Sequence, residues 1–170
     1  MTLKGVLRHA LGMDEELEDL DLQKLSITKL YIIAGEGAPE YRQIAATALT
    51  INDSLSLEDI GQKLNETMYR EAYYESDFWR ACKQELYCLF CTRDPKYNDI
   101  RKRIYGSGGR AEMVIVSTIA AAVAGSAGLM AGALVPFCAV CLIAAVKVGT
   151  EAFCHSVRND LPPTIQGPVR

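Results

Sequence analysis

The amino-acid sequence predicts an all-α fold, and three observations lead to that prediction. No segment shows the strict alternation of apolar and polar residues that marks a half-buried strand. Capping residues and apolar residues at helical spacing recur through the first two thirds of the chain. The stretch 113–146 then runs for 34 residues without a charged side chain. We therefore expect an N-terminal helical bundle followed by an apolar helical segment rich in small residues.

Length, charge and cysteine content limit the class of protein. A chain of 170 residues forms one domain, or one domain with an appendage. Its formal net charge of −3 argues against broad nucleic-acid binding, which requires a basic surface. Residues 1–20 lack the continuous apolar stretch of a signal peptide, so we expect a cytoplasmic N-terminal part. There the cysteines should be reduced thiols; they are Cys82, Cys88, Cys91, Cys138, Cys141 and Cys154.

The first two helices are predicted before residue 35. The first begins at a Thr2 cap, and one face carries its apolar residues, which are Val6, Leu7, Ala10 and Leu11. The acidic run 14–21 is expected to be a solvated loop or helix start, with docking of a basic partner as the alternative. The second helix is predicted from Asp21 to Ala34, where Gly35 offers a stop.

Four further helices complete the predicted bundle, and each has a start signal. Proline in the first turn and side chains that accept hydrogen bonds from free backbone N–H groups are typical of helix starts. In chain order these signals are Pro39, the capping box from Ser56 to Asp59, Ser76 or Asp77, and Asp94-Pro95. The glycines of 106–110 predict a hinge. The expected organisation is a bundle over 1–105, a hinge over 106–112, an apolar helical segment over 113–156 and a flexible proline-rich tail over 157–170.

The apolar segment is too long for one straight membrane crossing. As a single helix its 34 residues would span about 51 Å, whereas a bilayer core is about 30 Å thick. The residue before a proline avoids the helical region, so a break at Val135-Pro136 would give one long helix and then a second. A tight turn at 125–128 is the alternative. Small residues at every fourth position favour the continuous first helix and a helix-association face, formed by Ala120, Ala124, Gly128 and Gly132.

The sequence leaves open whether this segment enters a membrane or forms a buried core. Alanine and glycine contribute little to insertion, and a helix that is apolar all round also suits the centre of a soluble bundle. Basic residues flank the segment and place the N-terminal domain in the cytoplasm; they are Arg101, Lys102, Arg103, Arg110 and Lys147. A third possibility is a segment enclosed in a soluble form and released to the membrane by a trigger.

Catalytic and metal-binding signals are weak. The CxxC motifs at 88–91 and 138–141 have zinc-like spacing, but their spacers are apolar, so core packing is favoured over a metal site or redox regulation. Of the two histidines, His9 lies on the polar side of the first predicted helix. His155 neighbours Cys154, which does not face it on a helix. The sequence contains no phosphate-binding glycine motif and no HExxH, so we expect neither an enzyme nor a cofactor.

The leading expectation for function is non-enzymatic membrane association, extending to membrane disruption, under the control of the N-terminal bundle. In layout the chain resembles small bacterial effectors and toxins of toxin and phage-defence loci, which join a sensing domain to a membrane-active helical segment. That resemblance implies membrane lipid or self-association as partners, and an inner-membrane location. The alternative is a soluble, cytoplasmic all-α adaptor or subunit whose apolar helices form its own core or an oligomer interface. The acidic run or the aromatic stretch 68–80 would then bind a protein partner.

Overall fold

The computed structural model describes residues 22–72, 77–105, 110–127 and 130–160. Within these ranges the chain contains eight α-helices and no strand, so the predicted all-α class is confirmed. Short 3₁₀ turns at Leu22–Lys24 and Pro95–Tyr97 precede α1 and α5. The helices are α1 (Ile27–Ala34), α2 (Pro39–Ala48), α3 (Ser54–Ala72), α4 (Phe78–Phe90), α5 (Asn98–Tyr105), α6 (Ala111–Ala127), α7 (Ala131–Val148) and α8 (Thr150–Asp160).

Local start signals confirm three of the predicted helix starts. Helix α2 begins at Pro39. The Asp77 carboxylate accepts a hydrogen bond from the Arg80 N–H at 3.0 Å, and the Asp94 carboxylate accepts one from the Lys96 N–H at 2.9 Å. These bonds satisfy N–H groups that have no partner inside their own helix.

Two other starts differ from the prediction. Helix α1 begins at Ile27 rather than near residue 21, because the Ser26 hydroxyl accepts from the Lys29 N–H and ends the preceding turn. The predicted capping box at Ser56 is wrong. The backbone N–H of Ser56 donates to the Asp53 carboxylate at 2.8 Å, so Ser56 lies inside the first turn of α3 rather than before it.

The long helix predicted up to residue 134 and broken at Pro136 is wrong. Helix α6 ends at Ala127, α7 begins at Ala131, and Pro136 lies inside α7. Pro136 is the sixth residue of its helix, so it removes one early backbone hydrogen bond without ending the helix. Glycine costs about 1 kcal/mol relative to alanine inside a helix, and the chain concentrates glycine around the observed break. The break therefore lies close to the alternative turn at 125–128.

Helix α7 forms the centre of the fold. Six helices pack against it, namely α1, α2, α3, α4, α6 and α8, and every residue from Pro136 to Val146 is buried. One apolar core thus contains residues from both sides of the predicted 106–112 hinge. Residues 106–109 lie outside the described part of the chain, so the hinge itself stays a prediction.

The last helix ends later in the chain than the predicted tail boundary allows. Helix α8 extends to Asp160 with Val157 buried, so the predicted tail boundary at 157 is wrong. Residues 161–170 lie outside the described ranges. Gly149 connects α7 to α8 with a φ of 96°, a left-handed conformation that side chains with a Cβ rarely adopt.

Candidate functional site: the helical hairpin and its enclosure

Helices α6 and α7 form a helical hairpin, called here the hairpin. They pack against each other more extensively than any other pair of helices in the described chain. Because only residues 128–130 connect them, their packing side by side makes them antiparallel. Helix α7 has 18 residues with a mean hydropathy of 2.2, and among the described residues it is the one helix long and apolar enough to cross a membrane. Its length is about 27 Å, against a bilayer core of about 30 Å.

The turn between α1 and α2 holds the first part of α7. A Cβ atom added to Gly37 would lie 2.5 Å from Cγ of Pro136, closer than real contacts allow. The buried ring of Tyr41 borders the same point, since the added atom would lie 3.1 Å from its Cδ2. Glycine at 37 is therefore what lets this turn contact the proline ring.

The predicted association face does not exist as one surface. Ala120 and Ala124, in α6, are 0 % and 2 % exposed and belong to the shared core. Gly132 lies in the next helix, α7, and is exposed. Gly128 lies outside the described residues. The four-residue repeat failed as a signal because the helix it assumed is interrupted between Ala120 and Gly132.

Among the described residues, the exposed positions of α6 and those at the start of α7 carry no charge, and the exposed Lys147 lies at the other end of α7. The outer face of α6 is formed by its exposed residues Met113, Ser117, Ala121 and Gly125. The tip of the hairpin comprises the described exposed residues that begin α7, which are Met130, Gly132 and Ala133. Met130 is 83 % exposed, and a Cβ added to Gly125 or Gly132 would contact nothing within 4 Å. The outer face and the tip together make an uncharged surface that the sequence pattern had not singled out.

A buried carboxylate anchors the start of α6. Glu112 is the one charged residue in α6. Its Oε1 accepts a hydrogen bond from the Ser26 N–H at 2.7 Å, at the N-terminus of α1. A negative charge is favourable at that end of a helix, where unpaired N–H groups point outward. Glu112 therefore fixes the hairpin to α1.

One of the five basic residues predicted to flank the apolar segment is buried in the fold instead. Arg101 is 5 % exposed, and its guanidinium donates hydrogen bonds to the carbonyl groups of Cys88, Leu89, Thr92 and Asp94. It closes the C-terminal end of α4, where free carbonyl groups favour a cation. The other four are exposed, namely Lys102, Arg103, Arg110 and Lys147.

A buried lysine connects three helices around the hairpin. Lys83 of α4 places its Nζ 2.7 Å from Oε1 of Glu58 in α3 and 3.6 Å from Oδ2 of Asp160 in α8. The Trp79 indole N–H donates to the other carboxylate oxygen of Glu58 at 3.1 Å. Lys83 also lies 5.3 Å from the Trp79 ring centroid, within the range of a cation–π contact.

Core packing accounts for much of the aromatic stretch 68–80. Phe78 is buried against Phe137 of α7 with ring centroids 6.2 Å apart in an edge-to-face arrangement. Trp79 is buried against Gly61. Tyr69 is exposed, while Tyr73 and Tyr74 lie outside the described residues.

The thiols differ from the expectation of six reduced cysteines. Cys91 at the end of α4 forms a disulfide with Cys154 in α8. No sequence signal indicated this pair, because its members are separated by 63 residues and only Cys91 belongs to a CxxC motif. Among the described residues no cluster of three or more His, Cys, Asp or Glu side chains could hold a metal ion.

The other four cysteines are free thiols. Cys82, Cys138 and Cys141 are buried in the core, with the Sγ atoms of Cys82 and Cys138 3.4 Å apart. Burial raises the pKa of the Cys82 thiol well above its ordinary value. Cys88 is half-buried, and burial raises its pKa as well.

Two hollows lie at opposite ends of α7. One of about 410 Å³ lies beside Pro136 and Tyr41, with mainly apolar and small residues around it. The other, of about 760 Å³, is open and borders Gly149, Lys147 and the exposed His155. His9 lies outside the described residues.

Comparison with protein-family models, curated proteins and solved structures found no match. The residues and contacts described above are therefore the basis for any functional argument.

Proposed function

We propose that this chain is a non-enzymatic membrane-associating protein whose hairpin is the core of a water-soluble bundle and enters a bilayer when the bundle opens. The N-terminal helices then act as a cover that controls the hairpin from the cytoplasmic side of an inner membrane. Several copies of the inserted hairpin would disrupt the membrane, as a bacterial effector or toxin of a defence system does.

The observation that carries the proposal is the uncharged, exposed tip. Residues that enter a bilayer first must leave water, and each Asp, Lys or Arg at the bilayer centre costs about 2.5 to 3.5 kcal/mol on the insertion scale. The tip has none, and its most exposed residue is the apolar Met130. Turns between the helices of a soluble bundle run over the surface and are normally polar. A turn that stays in water therefore has no need of an uncharged, apolar tip.

The outer face of α6 supports the same proposal. A surface helix of a soluble protein normally presents charged or polar side chains to water. Here the positions facing water over four helical turns are Met113, Ser117, Ala121 and Gly125, with Ser117 the one polar side chain. An α6 that spends part of its time against lipid explains a face without charge.

Insertion energetics favour a controlled rather than a permanent membrane state. The eight Leu, Ile, Val and Phe residues of α7 contribute together about −2 to −5 kcal/mol to insertion. Six of these eight side chains are buried in the closed bundle, and Val135 and Val148 are partly buried, so they gain little by moving from one apolar environment to another. A condition that loosens α1, α2 or α8 would therefore shift the balance toward the bilayer.

The proposal is tested by placing a charge on the tip. Met130→Asp changes an exposed side chain, so the closed bundle should keep its thermal unfolding midpoint to within a few degrees. The matched control is Ile32→Asp, which adds the same charge to an exposed apolar position of α1. Binding is measured by flotation with phosphatidylcholine–phosphatidylglycerol vesicles, in buffer and in urea below the unfolding midpoint.

We expect the wild-type chain and Ile32→Asp to float with vesicles in mild urea, and Met130→Asp to remain at the bottom of the gradient. Flotation of Met130→Asp equal to that of Ile32→Asp would contradict insertion through the tip. A wild-type chain that never floats would contradict membrane association altogether.

The second candidate is a soluble all-α adaptor or subunit. The observation in its favour is the enclosure of α7: 67 % of the helix is buried, and six other helices pack against it. In that function the uncharged outer face of α6 would be covered by a partner protein instead of lipid. Failure of wild-type flotation, together with a monodisperse soluble complex, would favour this candidate.

A further inference from the structure

We propose that the last turn of α4 is a thiol–disulfide exchange site. There Cys88 replaces Cys154 as the disulfide partner of Cys91, which removes the covalent bond between α8 and α4. The exchange itself is independent of membranes, whereas its consequence for the hairpin rests on the function proposed above. Three features of the described chain carry the inference: the position of the disulfide, the adjacent free thiol and the small share of α8 that is buried in the core, namely Phe153 and Val157.

The disulfide joins the two helices that close the C-terminal side of the hairpin. Cys91 caps the end of α4, and Cys154 lies in the middle of α8, which follows α7 after Gly149. Because α7 and α8 are consecutive, the Cys91–Cys154 bond also ties the end of α7 to α4. Within the described residues no other covalent cross-link joins these elements.

Cys88 is placed to reach the disulfide. Residues three apart on a helix are neighbours, with Cβ atoms about 5 to 6 Å apart, and Cys88 and Cys91 have this spacing in the last turn of α4. In a disulfide the two Cβ atoms lie about 3.5 to 4.5 Å apart, so bonding this pair requires a shift of about 1 to 2 Å in the last turn of the helix. Arg101 holds this turn in place through the Cys88 and Leu89 carbonyls.

The exchange balances without any added oxidant or reductant. The Cys88 thiol gives its proton to solvent, and the thiolate attacks Sγ of Cys91. The Cys88–Cys91 bond forms as the Cys91–Cys154 bond breaks, and the electron pair leaves with Sγ of Cys154, which takes up a proton. One disulfide and one free thiol are present before and after the reaction.

The closed bundle restrains this reaction. Burial raises the pKa of Cys88, with Glu85 and Asp94 acting in the same direction and Lys96 and Arg101 opposing them. The thiolate that attacks is therefore scarce while Cys88 remains half-buried. Loosening of the last turn of α4 would hydrate the thiol, increase the fraction of thiolate and so allow the exchange.

After exchange α8 is held only by noncovalent contacts. Phe153 and Val157 pack in the core, and Asp160 faces Lys83 at 3.6 Å. A helix of 11 residues with two deeply buried apolar side chains can detach far more readily than one fixed by a disulfide. Detachment of α8 would uncover one side of α7 and favour release of the hairpin.

Disulfide mapping of the full-length chain tests the exchange directly. The protein is incubated in urea below its unfolding midpoint without added thiol or oxidant, alkylated in acid-quenched samples and digested with trypsin. Cleavage after Lys83 and Arg93 puts Cys88 and Cys91 in one peptide, and cleavage after Lys147 and Arg158 isolates Cys154.

At time zero we expect the two peptides to be cross-linked, with Cys88 alkylated. With incubation the first peptide should gain an internal disulfide while Cys154 becomes alkylated. Cys88→Ser should keep Cys154 blocked, and Cys141→Ala, which removes a different free thiol, should behave as wild type. Absence of the internal disulfide, or equal release of Cys154 in Cys88→Ser, would overturn the exchange.

Vesicle flotation separates this inference from the function. Reduced flotation of Cys88→Ser relative to Cys141→Ala would support control of the hairpin by exchange. Equal flotation of both variants would overturn that control and leave membrane association intact. If no variant floats but the mapped exchange occurs, membrane association fails and the exchange site stands.

Discussion

Two glycines inside helices have opposite surroundings, and only Gly61 lies in close contact with a neighbouring element. At Gly61 an added Cβ would lie 2.3 Å from the Trp79 ring, whereas at Gly125 it would contact nothing within 4 Å. The sequence showed both only as glycines inside predicted helices. Their different roles come from what faces each Cα, which depends on tertiary packing.

Gly61→Ala should therefore destabilise the protein by about 1 to 3 kcal/mol, because the indole ring must shift within a filled core. Gly125→Ala should stabilise it by about 0.5 to 1 kcal/mol, since alanine is the better helix former and has free space. The free energy of unfolding is measured by urea titration. Equal effects of the two substitutions would contradict the close contact at Gly61.

The Cys82 thiol makes stability fall in alkaline solution. Its folded pKa is raised by burial, while a cysteine in the unfolded chain has a pKa of about 8.5. Above that pH the unfolded chain loses a proton that the folded chain keeps, so the free energy of unfolding decreases by about 1.4 kcal/mol per pH unit. The full contribution is present below pH 8.5 and is lost as the pH rises toward the folded pKa.

Urea titrations at pH 8, 9 and 10 measure this slope. Cys82→Ala, which cannot ionise, should have a shallower slope than the wild-type chain. Parallel slopes for the two proteins would show that Cys82 ionises with its ordinary pKa in the fold.

Residue-scale predictions succeeded where the partner is close in sequence. Asp77 and Asp94 cap helices through N–H groups two or three residues away, which a sequence pattern can reveal. The role of Arg101 depends on carbonyl groups 7 to 13 residues away, and the Cys91–Cys154 bond spans 63 residues. Such partners become visible only once the helices are packed.

At the scale of elements, the hairpin shows both what the sequence could predict and what it could not. An uncharged run of this length predicts buried or membrane helices, and the structure has two. The position of the break was mistaken. A proline in the first turns of a helix costs that helix little, whereas the glycines that precede Pro136 in the chain favour a turn. The supposed association face failed for the same reason.

The two sides of α6 give a direct test of the element's place in the fold. Ala124→Asp would bury an unpaired charge at a 2 % exposed position and should abolish cooperative unfolding. Ala121→Asp puts the same charge on the exposed outer face and should leave the melting curve nearly unchanged. Circular dichroism melts measure both. A cooperative Ala124→Asp melt at the wild-type midpoint would mean that α6 leaves the core.

For the whole molecule, the expectation of a helical bundle beside a separate apolar segment missed how the parts combine. The inner faces of α1, α2 and α3 meet α7, so the segment expected to be an appendage supplies the centre of the fold. Amphipathic periodicity reveals that a helix has an apolar face, but it does not reveal which helix that face covers.

Having the central helix in the last third of the chain has a consequence for biosynthesis. A ribosome adds about 5 to 20 residues per second, and α1 and α2 leave it well before α7 does. Until then the nascent chain presents Leu30, Ile33 and Ile44 without the surface that buries them. The N-terminal helices must therefore be shielded by a chaperone or by transient contacts among themselves. Folding then finishes in one late event, when α7 and finally Cys154 emerge.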